Sequence, residues 1–193
     1  YQMPIILPNH KLDDIINIVF SVLGKGAFRK KHPFKNVVLT TVNKKIPMSR
    51  WVVFRKLTSL QNILIYTDFR SQKIKNLENN TNCGLLFYNN KQGLQIYFNT
   101  KSTIHQKNDL TKKYWHGIVG TSSENYSNKY SPGTPINNID EGHKIDKDLD
   151  DKYFSIIELC PIKMNILQLS RNGHIRASFS KNNNEWKGSF IVP

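Results

Sequence analysis

Cysteine is scarce in this chain of 193 residues, which contains only Cys83 and Cys160. The two lie far apart and outside any C-x-x-C pattern, so the sequence indicates neither a disulfide framework nor a redox dithiol. Each borders an apolar run, and we interpret both as small buried residues rather than nucleophiles. Sparse, unpatterned cysteine is typical of a reducing compartment, and we therefore expect a cytoplasmic protein.

Long hydrophobic runs are also missing. Because the sequence has no stretch of about 18 apolar residues, we expect no helix that crosses a membrane. The first residues, YQMPIILPNHKLDD, lack the basic start and long apolar run of a secretion signal. The length and the hydrophobic content of 38% are compatible with a sizeable core. We expect residues 1–193 to form one domain.

Several catalytic signatures are absent as well. No G-x-S-x-G, H-E-x-x-H, Walker A or G-x-G-x-x-G sequence occurs. The six histidines are dispersed, and their spacing does not indicate a metal site. If the protein is an enzyme, a cofactor that carries the reaction is therefore the economical explanation.

Positive charge, by contrast, is plentiful, with a net charge of +14. Such an excess can bind nucleic acid by neutralising phosphates. The lysines are scattered, however, and the only tight basic cluster is residues 29–32. Neither zinc-finger spacing nor an aromatic RNP pattern is present. We expect neither nucleic acid nor a membrane as a partner.

Three segments have helical patterns. In residues 12–23 apolar side chains recur at helical spacing after two aspartates, and Gly24 and Gly26 indicate the end of this helix. We expect two shorter helices at residues 73–80 and 107–117, the second with Asn108 or Asp109 as its N-cap.

Short strand patterns fill most of the remaining chain. They predict a mainly β (α+β) domain, an antiparallel barrel with a few peripheral helices. Residues 120–152 show little periodicity, and we expect a long irregular segment in which 137–152 form a flexible acidic loop. The predicted strands are residues 36–43, 50–56, 62–67, 83–88, 93–105, 154–159, 165–169, 174–179 and 186–192.

Residues 50–73 combine two of these strand patterns with many cations and hydroxyls. The sequence SLQN between the two patterns predicts a hairpin connection. The second pattern ends in side chains of the types that bind phosphate. They are equally compatible with an anion site and with a solvated basic hairpin, and both interpretations remain open; the side chains are Thr67, Asp68, Arg70, Ser71 and Lys73.

The same segment resembles the pyridoxamine 5'-phosphate oxidase-like proteins of the FMN-binding split-barrel superfamily. The resemblance lies in R-x-V-V-x-R at residues 50–55 and Y-T-D-x-R-S-x-K at residues 66–73. It continues, in order and with similar spacing, at residues 85–88, 94–96, 173–176 and 186–193. The resemblance implies an FMN-binding split β-barrel that forms a homodimer with FMN at the subunit interface. Dimerisation would also cover the many strand edges that we expect to be exposed.

The resemblance also implies which residues contact the cofactor. Arg50 and Lys73 would supply charge to the FMN phosphate, and Gln72 stands where the better-known oxidases have an arginine. Simpler roles remain open, because Trp51 and Tyr66 could be core aromatics and Gln95 could face solvent. The full set implied for FMN is Arg50, Trp51, Val52, Val53, Arg55, Tyr66, Thr67, Ser71, Gln72, Lys73, Gln95 and Arg176.

For the substrate, departures from the family pattern matter more than matches. Ile118 and Asn172 stand where the oxidases have arginines for the substrate phosphate, and Leu167 replaces a tryptophan that packs on the flavin, beside a retained Gln168. The residues implied for the substrate are Arg55, Tyr114, Ser122 and His174.

We therefore expect an FMN-dependent oxidoreductase of unknown substrate. Three alternatives stay open. An authentic pyridoxamine 5'-phosphate oxidase would need Arg55, Arg171 or another cation in place of the missing pair. A flavin-binding protein without catalysis is the second. The third is a haem-handling relative with His174 as an axial ligand.

Overall fold

The computed structural model describes residues 3–120, 122–146 and 150–193. Within these ranges the chain forms three α-helices: α1 (Leu12–Phe28), α2 (Gln72–Asn79) and α3 (Asp109–His116). The eight strands are β1 (Asn36–Asn43), β2 (Ile46–Leu57), β3 (Ile63–Asp68), β4 (Asn82–Asn89), β5 (Leu94–Gln106), β6 (Phe154–Gln168), β7 (Ile175–Asn182) and β8 (Glu185–Phe190). Short 3-10 helices cover Pro33–Lys35, Ser123–Tyr126 and Ile139–His143.

The strands form one antiparallel sheet that closes on itself. Its order is β3-β2-β1-β4-β5-β6-β7-β8, and the additional pairing of β3 with β6 closes six strands into a barrel. This confirms the predicted antiparallel barrel with peripheral helices. Among the described strands only β8 has a single neighbour, so the expectation of many exposed strand edges was wrong.

Strand β6 differs from its prediction, because residues 154–159 and 165–169 belong to one continuous strand. Its first half pairs with β3 and its second half with β7, while β5 pairs along the whole length. Pro161 interrupts the sequence pattern, and it lies where the register with β5 shifts. Proline has no N–H to donate to the sheet, and a bulge is a position where this missing hydrogen bond is tolerated. Cys160, which precedes it, is exposed rather than buried, whereas Cys83 is buried as predicted.

Helix α1 runs past the two glycines that were expected to end it. Gly26 is buried against Phe34, and a Cβ at position 26 would lie only 2.8 Å from the Phe34 Cβ. The glycine therefore serves close packing inside the helix rather than termination. The N-cap of α3 is Asn108 as predicted, since its side chain accepts a hydrogen bond from the Thr111 N–H.

The hydrophobic core fills the barrel, where Phe87 packs edge-on against Phe34 and Phe54. A second, smaller group of buried side chains lies outside the barrel wall, between β3, β6, α3 and the segment that follows α3. We call it the outer cluster. Its buried members are Leu64, Trp115, Tyr126, Phe154 and Ile156, with Tyr66, Leu110, Tyr114 and Ile118 packed against them.

The irregular segment after α3 was predicted, and it contains two of the 3-10 helices. The predicted flexibility of residues 137–152 stays a prediction, and residues 147–149 lie outside the described ranges. None of the described helices combines the length and the apolar character needed to cross a membrane.

Candidate functional site

Two cations meet where β2, β3 and the start of α2 converge. Lys73 Nζ donates to Thr67 Oγ1 at 2.8 Å and to Ser71 Oγ at 3.2 Å. Arg50 Nη1 donates to Thr41 Oγ1 at 2.7 Å and to the Leu39 carbonyl at 3.3 Å. Both cations thus rest on uncharged oxygens. We call Arg50, Thr67, Ser71 and Lys73 the cationic cluster.

The electrostatics of this cluster favour an anionic ligand. Burial lowers the pKa of Lys73, and the nearby Arg50 charge lowers it further against the opposing effect of Asp68. Burial also lowers the pKa of Arg50. Neither cation forms an ion pair with a carboxylate of the described residues. Two partly buried like charges without a counter-ion destabilise each other, and a bound anion would remove that penalty.

The start of α2 adds backbone donors to the same place. Ser71 is the N-cap residue, yet its hydroxyl makes no capping hydrogen bond and instead contacts Lys73 and Thr67. The first amides of a helix lack partners within the helix and favour negative charge. The chemistry of the donor set, two cations with hydroxyls and helix amides, therefore fits a phosphate group.

Arg70, which the sequence placed among the phosphate donors, points elsewhere. Its guanidinium pairs with Asp68 at 2.7 Å and stacks 3.4 Å from the centre of the Tyr153 ring. It also donates to the carbonyls of Asn128, Lys129 and Tyr130. Asp68 and Arg70 thus attach the segment after α3 to the barrel, and neither belongs to the cationic cluster.

Arg55 lies further along β2 than Arg50 and contacts the outer cluster. Its Nη2 donates to Tyr126 Oη at 2.9 Å, and its guanidinium carbon lies 5.4 Å from the centre of the Tyr66 ring. The Tyr66 and Tyr114 rings are 5.7 Å apart. Burial is the main cause that raises the pKa of both Tyr66 and Tyr126. Three residues predicted at the site, Arg55, Tyr66 and Tyr114, are therefore brought together.

The remaining residues predicted around FMN occupy varied positions. Trp51 is 68% exposed on the outer face of β2, which rules out the core-aromatic alternative for it. Val52 packs against the core, and Val53 is half-buried. Gln72 is exposed, and its amide donates to Asn76 Oδ1 at 2.9 Å. Ser122 is half-buried just before the 3-10 helix Ser123–Tyr126.

Gln95 and Arg176 form a separate group. Leu167 is paired with Gln95 on β5 and with Arg176 on β7, so the three lie side by side. Around the closed barrel, β5 and β7 each lie three strands from β2, β7 by way of β3 and β6. His174 and Asn172 are exposed in the turn before β7, where His174 Nδ1 accepts from the Ser170 N–H. No described contact joins this group to the cationic cluster.

Gln168, the retained residue beside Leu167, has a structural role. It is fully buried, and its oxygen accepts from the Ile5 and Ile6 N–H groups, both at 3.2 Å. Its nitrogen donates to the carbonyls of Gln92 and Leu169. All of these partners are backbone groups, so the side chain fastens the N-terminal segment to the barrel.

The sequence interpretation missed Thr41 and Asn76. The buried Thr41 hydroxyl accepts hydrogen bonds from Arg50 and from Asn76 Nδ2, the latter at 2.9 Å. The alternation of β1 places Thr41 on the same face as the buried Val37 and Leu39. A polar residue at a core-facing position was the available signal, because such groups require a partner.

Comparisons with known proteins agree with this geometry. Residues 18–106 match the family model of the pyridoxamine 5'-phosphate oxidase FMN-binding domain, and this range contains the whole cationic cluster. No curated protein sequence matches the chain significantly.

Solved structures share the fold at low sequence identity. A pyridoxamine 5'-phosphate oxidase-related, FMN-binding protein from Nostoc punctiforme PCC 73102 superimposes with a TM-score of 0.78 and 19% identity, covering 95% of this chain and 100% of that one. PhzG from Burkholderia lata 383, in complex with tetrahydrophenazine-1-carboxylic acid, gives a TM-score of 0.77 and 18% identity, covering 100% of both chains. ChuZ from Campylobacter jejuni gives 0.57 and 11%, covering 95% of this chain and 65% of ChuZ. Residues 18–106 therefore match the model of the pyridoxamine 5'-phosphate oxidase FMN-binding domain, and the chain shares its barrel fold with FMN-binding proteins related to that oxidase.

Proposed function

We propose that the protein is an FMN-binding flavoprotein that acts as a flavin-dependent oxidoreductase. The observation that carries the proposal is the cationic cluster, in which Arg50 and Lys73 lie together and form no ion pair with a carboxylate of the described residues. The FMN phosphate is a dianion near neutral pH and would be the missing counter-ion. The match of residues 18–106 to an FMN-binding domain supports the same ligand.

The residues of this chain would bind and orient the cofactor. Lys73, Arg50 and the Ser71 and Thr67 hydroxyls would hold the phosphate, with the first amides of α2. The outer face of β2, with Trp51 and Val53, would lie beside the flavin ring. Bound FMN would supply the redox chemistry, while the protein supplies binding, orientation and electrostatics.

We further propose a homodimer in which each FMN contacts both chains. Arg176 lies three strands from β2 by way of β3 and β6, without a described contact to the cationic cluster, and His174 lies in the turn that precedes its strand. A partner subunit would bring this group to the flavin more readily than the same chain. The exposed Trp51 and Tyr88 on the outer face support the idea, because a second copy would cover them. The free cysteines are compatible with a cytoplasmic location.

The substrate should differ from pyridoxamine or pyridoxine 5'-phosphate. Ile118 packs against the outer cluster where the oxidases have an arginine, and Asn172 is exposed in the turn before β7. Losing two charge-assisted contacts corresponds to roughly 3–6 kcal/mol, or two to four powers of ten in the specificity constant. We expect slow peroxide formation with either vitamer under air, using fully FMN-loaded protein. Turnover comparable to that of an authentic oxidase would contradict this expectation.

The absorption spectrum of the purified protein tests the proposed function. We expect a flavin spectrum, and heat-released cofactor that co-elutes with FMN at one equivalent per chain. A haem spectrum, or protein that stays colourless after incubation with FMN, would overturn the proposal. A flavin that no electron donor reduces would instead indicate a flavin-binding protein without catalysis.

A further inference from the structure

Arg55 is a partly buried cation with a donor that the protein leaves unsatisfied. One of its terminal nitrogens, Nη2, donates to Tyr126 Oη. Its Nε–H is buried and has no acceptor among the described residues. A buried donor without an acceptor destabilises the ligand-free protein, and an anion bound to the guanidinium would offset the cost of burying this cation.

The charges around Arg55 are also uncompensated. Lys35 lies near enough that the Arg55 charge adds to burial in lowering the lysine pKa. Lys56 Nζ lies 5.2 Å from the centre of the Tyr114 ring. Within the described ranges, none of these three cations forms an ion pair with a carboxylate. Lys35 already donates to the Ala27 carbonyl at 2.6 Å and Lys56 is exposed, so Arg55 is the cation committed to this place.

The surroundings of Arg55 are aromatic and apolar. Tyr66 lies against the guanidinium, and the rings of Tyr114 and Phe154 lie 5.7 Å and 5.2 Å from the Tyr66 ring. Ile118 packs against the same cluster. Flat aromatic walls favour a planar ring, because offset and edge-on ring contacts are attractive.

We propose that the substrate is a planar aromatic molecule with one carboxylate, which binds with its carboxylate on Arg55 and its ring against Tyr66 and Tyr114. This inference rests on the proposed FMN function and names the substrate class of that site. A guanidinium matches a carboxylate in geometry and charge. A phosphate dianion would require a second committed cation, and Ile118 supplies an apolar side chain instead.

The test uses FMN-loaded protein and three ligands that share the naphthalene ring and differ in the polar group at its position 1. Calorimetry and the flavin absorbance follow titrations with 1-naphthoate, neutral 1-naphthamide and dianionic 1-naphthyl phosphate. We expect 1-naphthoate to bind roughly 10- to 100-fold more tightly than either of the others. Equal affinities, or a preference for the phosphate, would overturn the inference while FMN binding stands. Protein that takes up no FMN would refute the proposed function and this inference with it.

Three variants locate the effect. Arg55→Gln should weaken 1-naphthoate roughly 10- to 100-fold and leave 1-naphthamide unchanged. Lys75→Gln, which removes an exposed cation on α2, is the control and should change either affinity less than about 3-fold. Ile118→Arg should raise the affinity for 1-naphthyl phosphate about 10-fold or more by supplying the second cation. The assignment would be contradicted if Arg55→Gln lost equal affinity for 1-naphthoate and 1-naphthamide. It would also be contradicted if Ile118→Arg gained no affinity for 1-naphthyl phosphate.

Discussion

The charge on Lys73 destabilises the FMN-free protein. Its ammonium is partly buried, rests on two hydroxyls and faces the charge of Arg50. The charged form is therefore less favourable in the folded chain than in the unfolded chain, which is why its pKa is lowered. The same charge attracts the FMN phosphate, so it should increase FMN affinity while it lowers the stability of the FMN-free protein.

Replacing Lys73 with methionine separates the two effects. At neutral pH the free energy of unfolding of apo-protein should stay equal or rise, while FMN affinity falls. In wild type the free energy of unfolding should increase as the pH rises towards 10.5, the ordinary pKa of lysine, because the unfolded state then binds more protons than the folded state. The Lys73→Met variant should lack this increase. Urea unfolding at a series of pH values measures it. Lys75→Met, exposed on the same helix, is the control. A variant that is less stable at every pH would contradict the account.

Two side chains, Arg70 and Gln168, attach irregular segments to the barrel and so fix the surroundings of the site. Arg70 fixes the segment after α3, which supplies Tyr126 to the outer cluster. Gln168 fixes the N-terminal segment ahead of α1 through the Ile5 and Ile6 amides. Both residues satisfy backbone groups that would otherwise lack partners.

Gln168→Leu should therefore destabilise the protein by about 2–4 kcal/mol, because it removes the partner of two backbone N–H groups and of two backbone carbonyls. Denaturant unfolding measures the loss. Gln95→Leu is the matched control on the neighbouring strand, where the amide has no described hydrogen bond and the loss should stay below about 1 kcal/mol. FMN affinity should show the reverse order, with Gln95→Leu the more affected. Equal losses of stability in both variants would show that the Gln168 hydrogen bonds are unimportant.

Sequence patterns predicted elements better than their junctions. The helix N-cap at Asn108 and the hairpin before β3 depend on neighbouring residues, so local rules sufficed. The continuity of β6 and the passage of α1 through Gly26 depend on partners distant in the chain. In the candidate site, too, the residues within sequence motifs were predicted and the contacts to distant segments were not. Arg50 and Lys73 were predicted through motif resemblance and lie together, whereas the diversion of Arg70 to residues 128–130 carries no local signal.

For the whole molecule, the closed barrel leaves little edge for association, so a dimer must use the outer face of the sheet. That face carries Trp51, which is 68% exposed, and Tyr88, which is 41% exposed. Burying both would stabilise a dimer by the hydrophobic effect.

We expect light scattering to give twice the chain mass of 22.4 kDa for FMN-loaded protein. Tyr88→Glu, at the exposed aromatic that we do not place beside the flavin, should shift the equilibrium towards monomer and weaken FMN, because the partner's contribution is lost. Phe28→Glu changes another exposed aromatic, at the end of α1, and should do neither. A monomer that holds FMN with full affinity would contradict the shared site.

The most direct test of the central claim compares FMN with riboflavin, which lacks only the phosphate. Fluorescence quenching gives both affinities for wild type, for the Arg50→Ala, Lys73→Ala double variant and for the Lys75→Met control. We expect the double variant to lose roughly 100-fold or more in FMN affinity while riboflavin affinity changes less than about 3-fold. The control should match wild type for both ligands. Equal losses for FMN and riboflavin in the double variant would show that Arg50 and Lys73 do not bind the phosphate.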